Sequence, residues 1–176
     1  MVCADSANNV PAPELGLLLT GAGEIAGYVV VDDVRSRSIE GENPLYLPQA
    51  KIYTGSCALG PGIVPVWELA DLQSLDISVT VRRDGAVAWQ AAGSTGQLHR
   101  SLTELTSYLF RYASFPHGVV LSTGTGLVPE LDFTLAPGDE VAIEIAGLGR
   151  LANVVRPATD EWFGWLTPEP GRRAPG

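Results

Sequence analysis

Two apolar runs joined by a short turn, Glu14-Leu15-Gly16-Leu17-Leu18-Leu19 and Ile25-Ala26-Gly27-Tyr28-Val29-Val30-Val31-Asp32-Asp33, carry the clearest structural signal in the chain. The first is short and continuously apolar, the form a buried strand takes. The second is rich in β-branched residues, which pack well on a pleated surface. Gly21-Ala22-Gly23-Glu24 supplies the turn between them, so the pair reads as a β-hairpin. Glu14 opens one strand and Asp33 closes the other, which would bring both carboxylates to one end of a sheet.

Working outward, Ile77, Val79 and Val81 alternate with polar neighbours, and Asp84-Gly85 is a two-residue hairpin signal leading to a return strand over 86–91. Further short strands are expected over 118–122, around Val141, Ile143 and Ile145, and over 151–155. Ser101-Leu102-Thr103-Glu104 has capping-box spacing, with Glu104 reaching back to the cap. Leu102, Leu105, Leu109 and Tyr112 follow at helical intervals, giving one clear helix that ends before Pro116. Residues 1–11 lack amphipathic periodicity and read as an entering arm. Residues 57–67 form an apolar segment broken by Gly60-Pro61-Gly62. The polar stretch 32–51, with Gly41, Pro44 and Pro48, reads as a long loop, and long structureless loops in small domains are usually functional. The expected fold is mainly β, a β-rich mixed roll with one clear helix. A single domain over 1–156 is followed by a tail over 157–176, in which Trp162, Phe163 and Trp165 could dock while the last eight residues stay mobile.

At 176 residues the chain has room for one well-filled core. It is 45% hydrophobic and 18% charged, too apolar for disorder, and its apolar stretches are too short for a membrane span. Eleven basic against twenty acidic residues give a net charge of -9, which argues against nucleic-acid or anionic-membrane partners. Arg82-Arg83 and Arg172-Arg173 read as solvated. The apolar run at 15–19 follows Glu14 rather than a basic region, so no signal peptide is expected and cytoplasm is the default. Two cysteines, Cys3 and Cys57, make neither a disulfide framework nor a zinc site.

Lys51 is the only lysine, the other ten basic residues being arginine. Lysine shifts its pKa readily on burial and arginine does not, so a solitary lysine suggests ammonium chemistry, with compositional accident as the plain alternative. Glu14 and Asp33 would suit a hard divalent cation, which takes a few carboxylates and leaves other positions to water and substrate oxygens. Lys51 could then stabilise a developing enolate. Ordinary strand-end acids are the alternative.

The runs Gly27-Tyr28-Val29-Val30-Val31-Asp32-Asp33-Val34-Arg35-Ser36-Arg37-Ser38 and Gly41-Glu42-Asn43-Pro44-Leu45-Tyr46-Leu47-Pro48-Gln49-Ala50-Lys51 resemble the fumarylacetoacetate hydrolase family. They are closest to its branch acting on 2-keto-3-deoxy sugar acids. Asn9-Val10-Pro11-Ala12-Pro13-Glu14-Leu15, Ser56-Cys57-Ala58-Leu59-Gly60-Pro61, Phe115-Pro116-His117-Gly118 and Thr123-Gly124-Thr125-Gly126 agree in order, as does Leu135-Ala136-Pro137-Gly138-Asp139. The resemblance implies a β-rich catalytic domain, usually homodimeric, that binds Mg²⁺ (or Mn²⁺ or Ca²⁺) through a Glu-x-Glu pair and a later Asp, with the metal chelating a small 2-oxo acid. It assigns Glu14 and Asp33 to the metal, Lys51 to catalysis and Thr125 to the substrate. In the sugar-acid branch a β-hydroxyl leaves as water; in the hydrolase branches a carbon–carbon bond is broken by water.

The departures carry as much meaning. The first Glu of the pair is Ala12, which should weaken metal affinity, and Ser38 stands where most relatives have an acid. Relatives have an additional N-terminal region that in several branches supplies a His–Glu pair; the chain begins just before the metal motif, and His99 and His117 do not sit in that pattern. Structural roles are expected for both. Arg37 and Glu42 are expected to order the loop or support the site, with Arg37 as a substrate-side residue and a solvated salt bridge between the two as the alternative. Cys57 is expected to be a small packed residue. Two functions follow: a metal-dependent lyase or hydrolase, or a catalytically impaired binding or structural subunit that pairs with itself or with a full-length relative. A third possibility is that the sequence is the C-terminal part of a longer product.

Overall fold

The entering arm is not featureless: it forms a short strand, β1 (Asn9–Val10), before the chain runs through β2 (Pro13–Leu19) and β3 (Ile25–Asp33). This computed structural model describes residues 1–69 and 74–158. β2 and β3 pair antiparallel with Pro13 opposite Asp32, Glu14 opposite Val31, Leu15 opposite Val30 and Leu17 opposite Tyr28. Side chains alternate along each strand, so Leu15, Leu17, Tyr28, Val30 and Asp32 share one face. Glu14, Gly16, Val29, Val31 and Asp33 share the other. Gly16 is required by packing, because a Cβ there would stand 2.5 Å from Val31 Cγ2 and 2.7 Å from Val29 Cγ1.

After β4 (Arg35–Ser36), which pairs with β1, the polar stretch departs from expectation. It folds into α1 (Arg37–Glu42), a 3₁₀ turn (Pro44–Tyr46) and α2 (Leu47–Lys51). Ser36 Oγ caps α1 by accepting from Ile39 N at 3.2 Å, and Asn43 Oδ1 accepts from Leu45 N at 3.0 Å. Pro44 and Pro48 lie in first turns, where a missing N–H is harmless and the fixed φ favours helix. The prolines that read as breakers are therefore starters.

β5 (Cys57–Leu59) and β6 (Val64–Pro65) both pair with β3. β7 (Asp76–Arg83) and β8 (Ala86–Ser94) form the hairpin that Asp84-Gly85 foretells, both turn residues having positive φ, 52° and 80°. α3 (Leu102–Phe110) is the expected helix. Ser101 Oγ accepts from Glu104 N at 3.1 Å, but the Glu104 carboxylate lies 3.8 Å from Arg100 Nε. Only half of that capping box forms; a complete one joins Ser94 and Gln97. β9 (Val119–Ser122), β10 (Glu140–Ile145) and β11 (Gly149–Val154) complete the strands.

Besides the two-stranded β1–β4 pair, two larger antiparallel sheets form among the described residues, ordered β11-β10-β7-β8 and β5-β3-β2-β9, with β6 also paired to β3. Ile77, Val79, Val81, Ile143 and Ile145 from the first meet Val30 from the second in one buried cluster. Leu15, Leu17, Leu19 and Tyr28 form another, against Leu102, Leu109 and Phe110 of α3. Fully burying an aliphatic or aromatic side chain of this kind contributes ~1.5–3 kcal/mol. The arm is tied down as well: Val2 is 5% exposed and bridges Pro157. The rest of the expected tail, with Trp162, Phe163, Trp165 and Arg172-Arg173, lies outside the described residues. None of the described helices is long and apolar enough to cross a membrane.

Arg83 is exposed at the hairpin turn, as expected from the sequence, but it is also an ion-pair partner. Its guanidinium forks onto Asp139, with Nε to Oδ1 at 2.8 Å and Nη2 to Oδ2 at 2.7 Å, and also reaches Thr134 O. Burial alone would raise the Asp139 pKa, but the Arg83 fork and the Ala136 amide hold it below the ordinary value. Asp32 is the opposite case. It is 3% exposed, faces the inter-sheet side, and accepts from Ala12 N at 3.0 Å. Burial pushes its pKa from 3.8 to about 6.

Arg83→Ala should leave a buried carboxylate without its main partner and lower stability by about 1–3 kcal/mol in urea unfolding. For Asp32 the folded state holds the proton more tightly than the unfolded chain, so its contribution is fully present below pH ~4 and is lost as pH rises through ~6. Asp32→Asn keeps an acceptor for Ala12 N and removes that loss. The variant-minus-parent stability should rise between pH 4 and 8 by on the order of 2 kcal/mol, read from urea midpoints across that range.

Candidate active site

The β2–β3 register places Glu14 and Asp33 on one face as diagonal neighbours, a relation that sets positions roughly 7–8 Å apart. Ala12, whose carbonyl accepts from Asp33 N at 3.0 Å, is buried beside them. Ala12 therefore lies on the same surface as the two acids. Lys51 reaches this surface from the end of α2, where Nζ donates to Asp33 Oδ2. Lys51 and Asp33 side chains are 25% and 21% exposed, so the pair is half sheltered rather than adrift in solvent. Ser56 Oγ donates to Lys51 O at 2.6 Å and Ile52 N to Pro48 O at 2.7 Å, fixing the backbone that presents the lysine.

Glu14 is 5% exposed. Ser122 Oγ donates to its Oε2, and Gly124 N donates to the same oxygen at 2.7 Å. Oε1 has no hydrogen bond among the described residues. Burial raises the Glu14 pKa, the Ser122 and Gly124 donors oppose that rise, and the Asp33 charge adds to it while Lys51 opposes it. Gly124 adopts φ 91°, a left-handed backbone that suits glycine and brings its N–H to the acid. Thr123 Oγ1 donates to Leu15 O at 2.9 Å, locking the small-residue loop to β2.

Thr125 is in that loop, where its Oγ1 accepts from Leu127 N at 3.0 Å. It lines a recess of about 60 Å³ with Leu15 and Ile77, separate from the open basin of about 770 Å³ beside Asp33, Lys51 and Cys57. Arg37 is held elsewhere: Nη2 donates to Pro129 O at 2.8 Å and Nη1 to Glu130 O at 3.1 Å. It orders the loop, and the ion pair in this region joins Arg35 to Glu40 at 3.3 Å, not Arg37 to Glu42. Ser38 belongs to a hydroxyl cluster with Ser6 and Ser36. His99 and His117 are both exposed.

Cys57 corrects its expectation. It is exposed, not packed, and stands opposite Asp33 in the β3–β5 register. Although the residue is exposed at the surface, the partly sheltered setting of its sulfur, followed by the charges of Asp33, Asp32 and Glu14, raises the thiol pKa, so it stays protonated and a poor nucleophile at neutral pH. Sequence reasoning missed Ser122 and the Gly124 amide as partners of Glu14. The small-residue run at 123–126, which allows close backbone approach, is a signal for the Gly124 amide but not for Ser122.

Among the described residues no group of three or more His, Cys, Asp or Glu side chains converges on one point. The donor chemistry still fits a hard cation. Glu14 and Asp33 offer oxygen only, and Mg²⁺ is commonly bound by one or two carboxylates, with water and substrate completing its shell.

Residues 21–156 match the family described as fumarylacetoacetate (FAA) hydrolase, C-terminal. The chain is 50% identical over 154 residues to a probable 2-keto-3-deoxyxylonate dehydratase of Haloferax volcanii, covering 88% of this chain and 53% of that protein. It is 43% identical over 155 residues to the 2-dehydro-3-deoxy-D-arabinonate dehydratase of Saccharolobus solfataricus, covering 88% and 52%. The chain thus spans about half the length of these curated relatives. A solved 2-keto-3-deoxy-D-arabinonate dehydratase, complexed with magnesium and 2,5-dioxopentanoate, superposes with a TM-score of 0.87 at 42% identity, over 89% of this chain and 56% of that one. With its mainly β architecture, its ordered motifs and a match running through both sheets, the chain belongs to the fumarylacetoacetate hydrolase family.

Proposed function

We propose that the domain formed by residues 1–156 is the catalytic part of a divalent-metal-dependent dehydratase acting on a 2-keto-3-deoxy sugar acid in the cytoplasm. The observation that carries this reading is the placement of Glu14, Asp33 and Lys51 on one surface of the β2–β3 hairpin. The likeness to sugar-acid dehydratases favours elimination of water over carbon–carbon hydrolysis.

Glu14 and Asp33 would hold Mg²⁺, or Mn²⁺ or Ca²⁺ in its place, and the ion would polarise the keto and carboxylate oxygens of the substrate. The rest of the chemistry falls to the chain. The reaction removes a proton from the carbon next to the ketone and expels the β-hydroxyl as water, leaving an α,β-unsaturated ketone. A proton shift from the next hydroxyl-bearing carbon back to the carbon beside the ketone then gives an enol that becomes the new carbonyl. The Lys51 ammonium, held at Asp33, stabilises the negative charge that develops on the substrate oxygen. Thr125, which lines a separate recess, would serve the substrate only indirectly, by shaping the small-residue loop whose Gly124 amide holds Glu14. Arg37 acts at a distance by ordering the segment at 129–130. The open basin beside Lys51 has room for a five- or six-carbon acid. Assembly as a homodimer, or with a full-length relative, belongs to this reading.

One observation favours a second reading, a non-catalytic subunit. Ala12 is 3% exposed and puts a methyl where the family pattern has a carboxylate, so the metal surface is one anion short. Thermal unfolding separates the two. Under the enzyme reading, Mg²⁺ with pyruvate at 100 times the apparent Kd raises Tm by roughly 5–10 °C, and Asp33→Ala abolishes the shift. Under the subunit reading the parent shows no shift, and Ala12→Glu creates one. Consumption of a 2-keto-3-deoxy pentonate by the parent with Mg²⁺ then tests the reaction itself.

A further inference from the structure

We propose that Ser122 is a positioning residue that orients Glu14 toward the metal, an inference that rests on the metal-site reading above. The terminal torsion of a Glu side chain is broad and roughly two-fold, so a carboxylate without fixed donors samples many planes. Here two donors, Ser122 Oγ and Gly124 N, meet on the single oxygen Oε2. Two contacts on one oxygen fix the carboxylate plane and leave Oε1 as the oxygen without a hydrogen bond among the described residues.

Ser122 is well placed for this. It is the last residue of β9 and lies opposite Gly16 in the β2–β9 register, which sets it on the face shared by Glu14 and Asp33, diagonal to Glu14. The Gly124 donor comes from the backbone and survives any substitution at 122. The serine hydroxyl is therefore the one part of the clamp that depends on side-chain identity. Its orienting role counts for more in this chain because Ala12 contributes no oxygen: only two carboxylates serve the ion, and a misaligned Glu14 removes half of the protein donors. Partners of this kind, one shell out from a metal, typically alter affinity by 10–100-fold when removed.

The test uses the full chain and Mn²⁺ as probe, with free Mn²⁺ measured by electron paramagnetic resonance, in the parent and in an Ala12→Glu background. Ser122→Ala should weaken Mn²⁺ binding about tenfold, while Ser122→Thr, which keeps the hydroxyl, should stay within about twofold of its background. In EDTA, Ser122→Ala should melt a few degrees lower because a buried carboxylate loses one hydrogen bond, while Ser122→Thr should melt with its background. Equal Mn²⁺ affinity for Ser122→Ala and its background overturns the proposal and leaves the metal site standing. A loss of Mn²⁺ affinity that Ser122→Thr does not rescue also overturns it, since it marks a purely structural serine. If neither the parent nor Ala12→Glu binds Mn²⁺, the metal-site reading fails and this proposal falls with it.

Discussion

The register of β2 on β3 is the constraint on which the rest of this molecule depends. With Glu14 opposite Val31 and Leu15 opposite Val30, the apolar side chains of one face close the core and the acids of the other face gather at one end. A slip of one residue would turn every side chain to the opposite face. Leu15, Leu17 and Tyr28 would leave the cluster under α3, and Glu14 would enter it without a partner. Folding and site assembly are thus one event, driven by the same burial, and a sequence that satisfies the core has placed the carboxylates as a by-product.

The buried acids show how differently one sheet system can treat a negative charge. Asp139 is neutralised by a bidentate arginine and stays ionised. Asp33 has an ammonium on one oxygen and solvent access through the basin. Glu14 has hydrogen bonds but no direct cation, and burial raises its pKa. Asp32, one residue from Asp33, points to the opposite side of the strand and receives a single backbone amide. The first arrangement is structural and satisfied. The Glu14–Asp33 arrangement is electrostatically incomplete in a way that an added positive ion would complete, whereas Asp32 is simply a buried acid held at some disadvantage to the fold.

Much of the architecture was legible because the governing signals are local. The hairpin at 14–33 shows in its β-branched run, the β7–β8 turn in Asp84-Gly85, and α3 in Ser101 and its leucine spacing. The stretch from 37 to 51 reads as a loop because proline and glycine ordinarily break helices, yet proline in a first turn starts one, and the caps, Ser36 and Asn43, are common loop residues. Arg83 was missed because its partner lies 56 positions away, a pairing that only the tertiary fold creates. At the site, the chain positions of Glu14, Asp33 and Lys51 followed from motif likeness, and the hairpin explains why two of them share a surface. Ser122 could not be found that way, since a serine at a strand end looks like any other until β9 is laid beside β2. Arg37 and Cys57 were assigned by pattern, and their surroundings, two backbone carbonyls and an open basin, depend on loops whose course the sequence pattern does not encode.

Gly16 has a consequence for how such a chain can diverge. Its missing side chain lets Val29 and Val31 settle against β2, and Val31 is the residue that separates Glu14 from Asp33 along the face. Any larger residue at 16 would push on that valine and stretch the gap between the acids, so the span between them behaves as a ruler of fixed length. Novelty has to come from elsewhere. Lys51 and Cys57 meet Asp33, but the rest of α2 and the turn over 53–56 border the basin without touching this ruler, and they are where a lineage could retune the size or shape of its substrate while the inherited spacing stays constant.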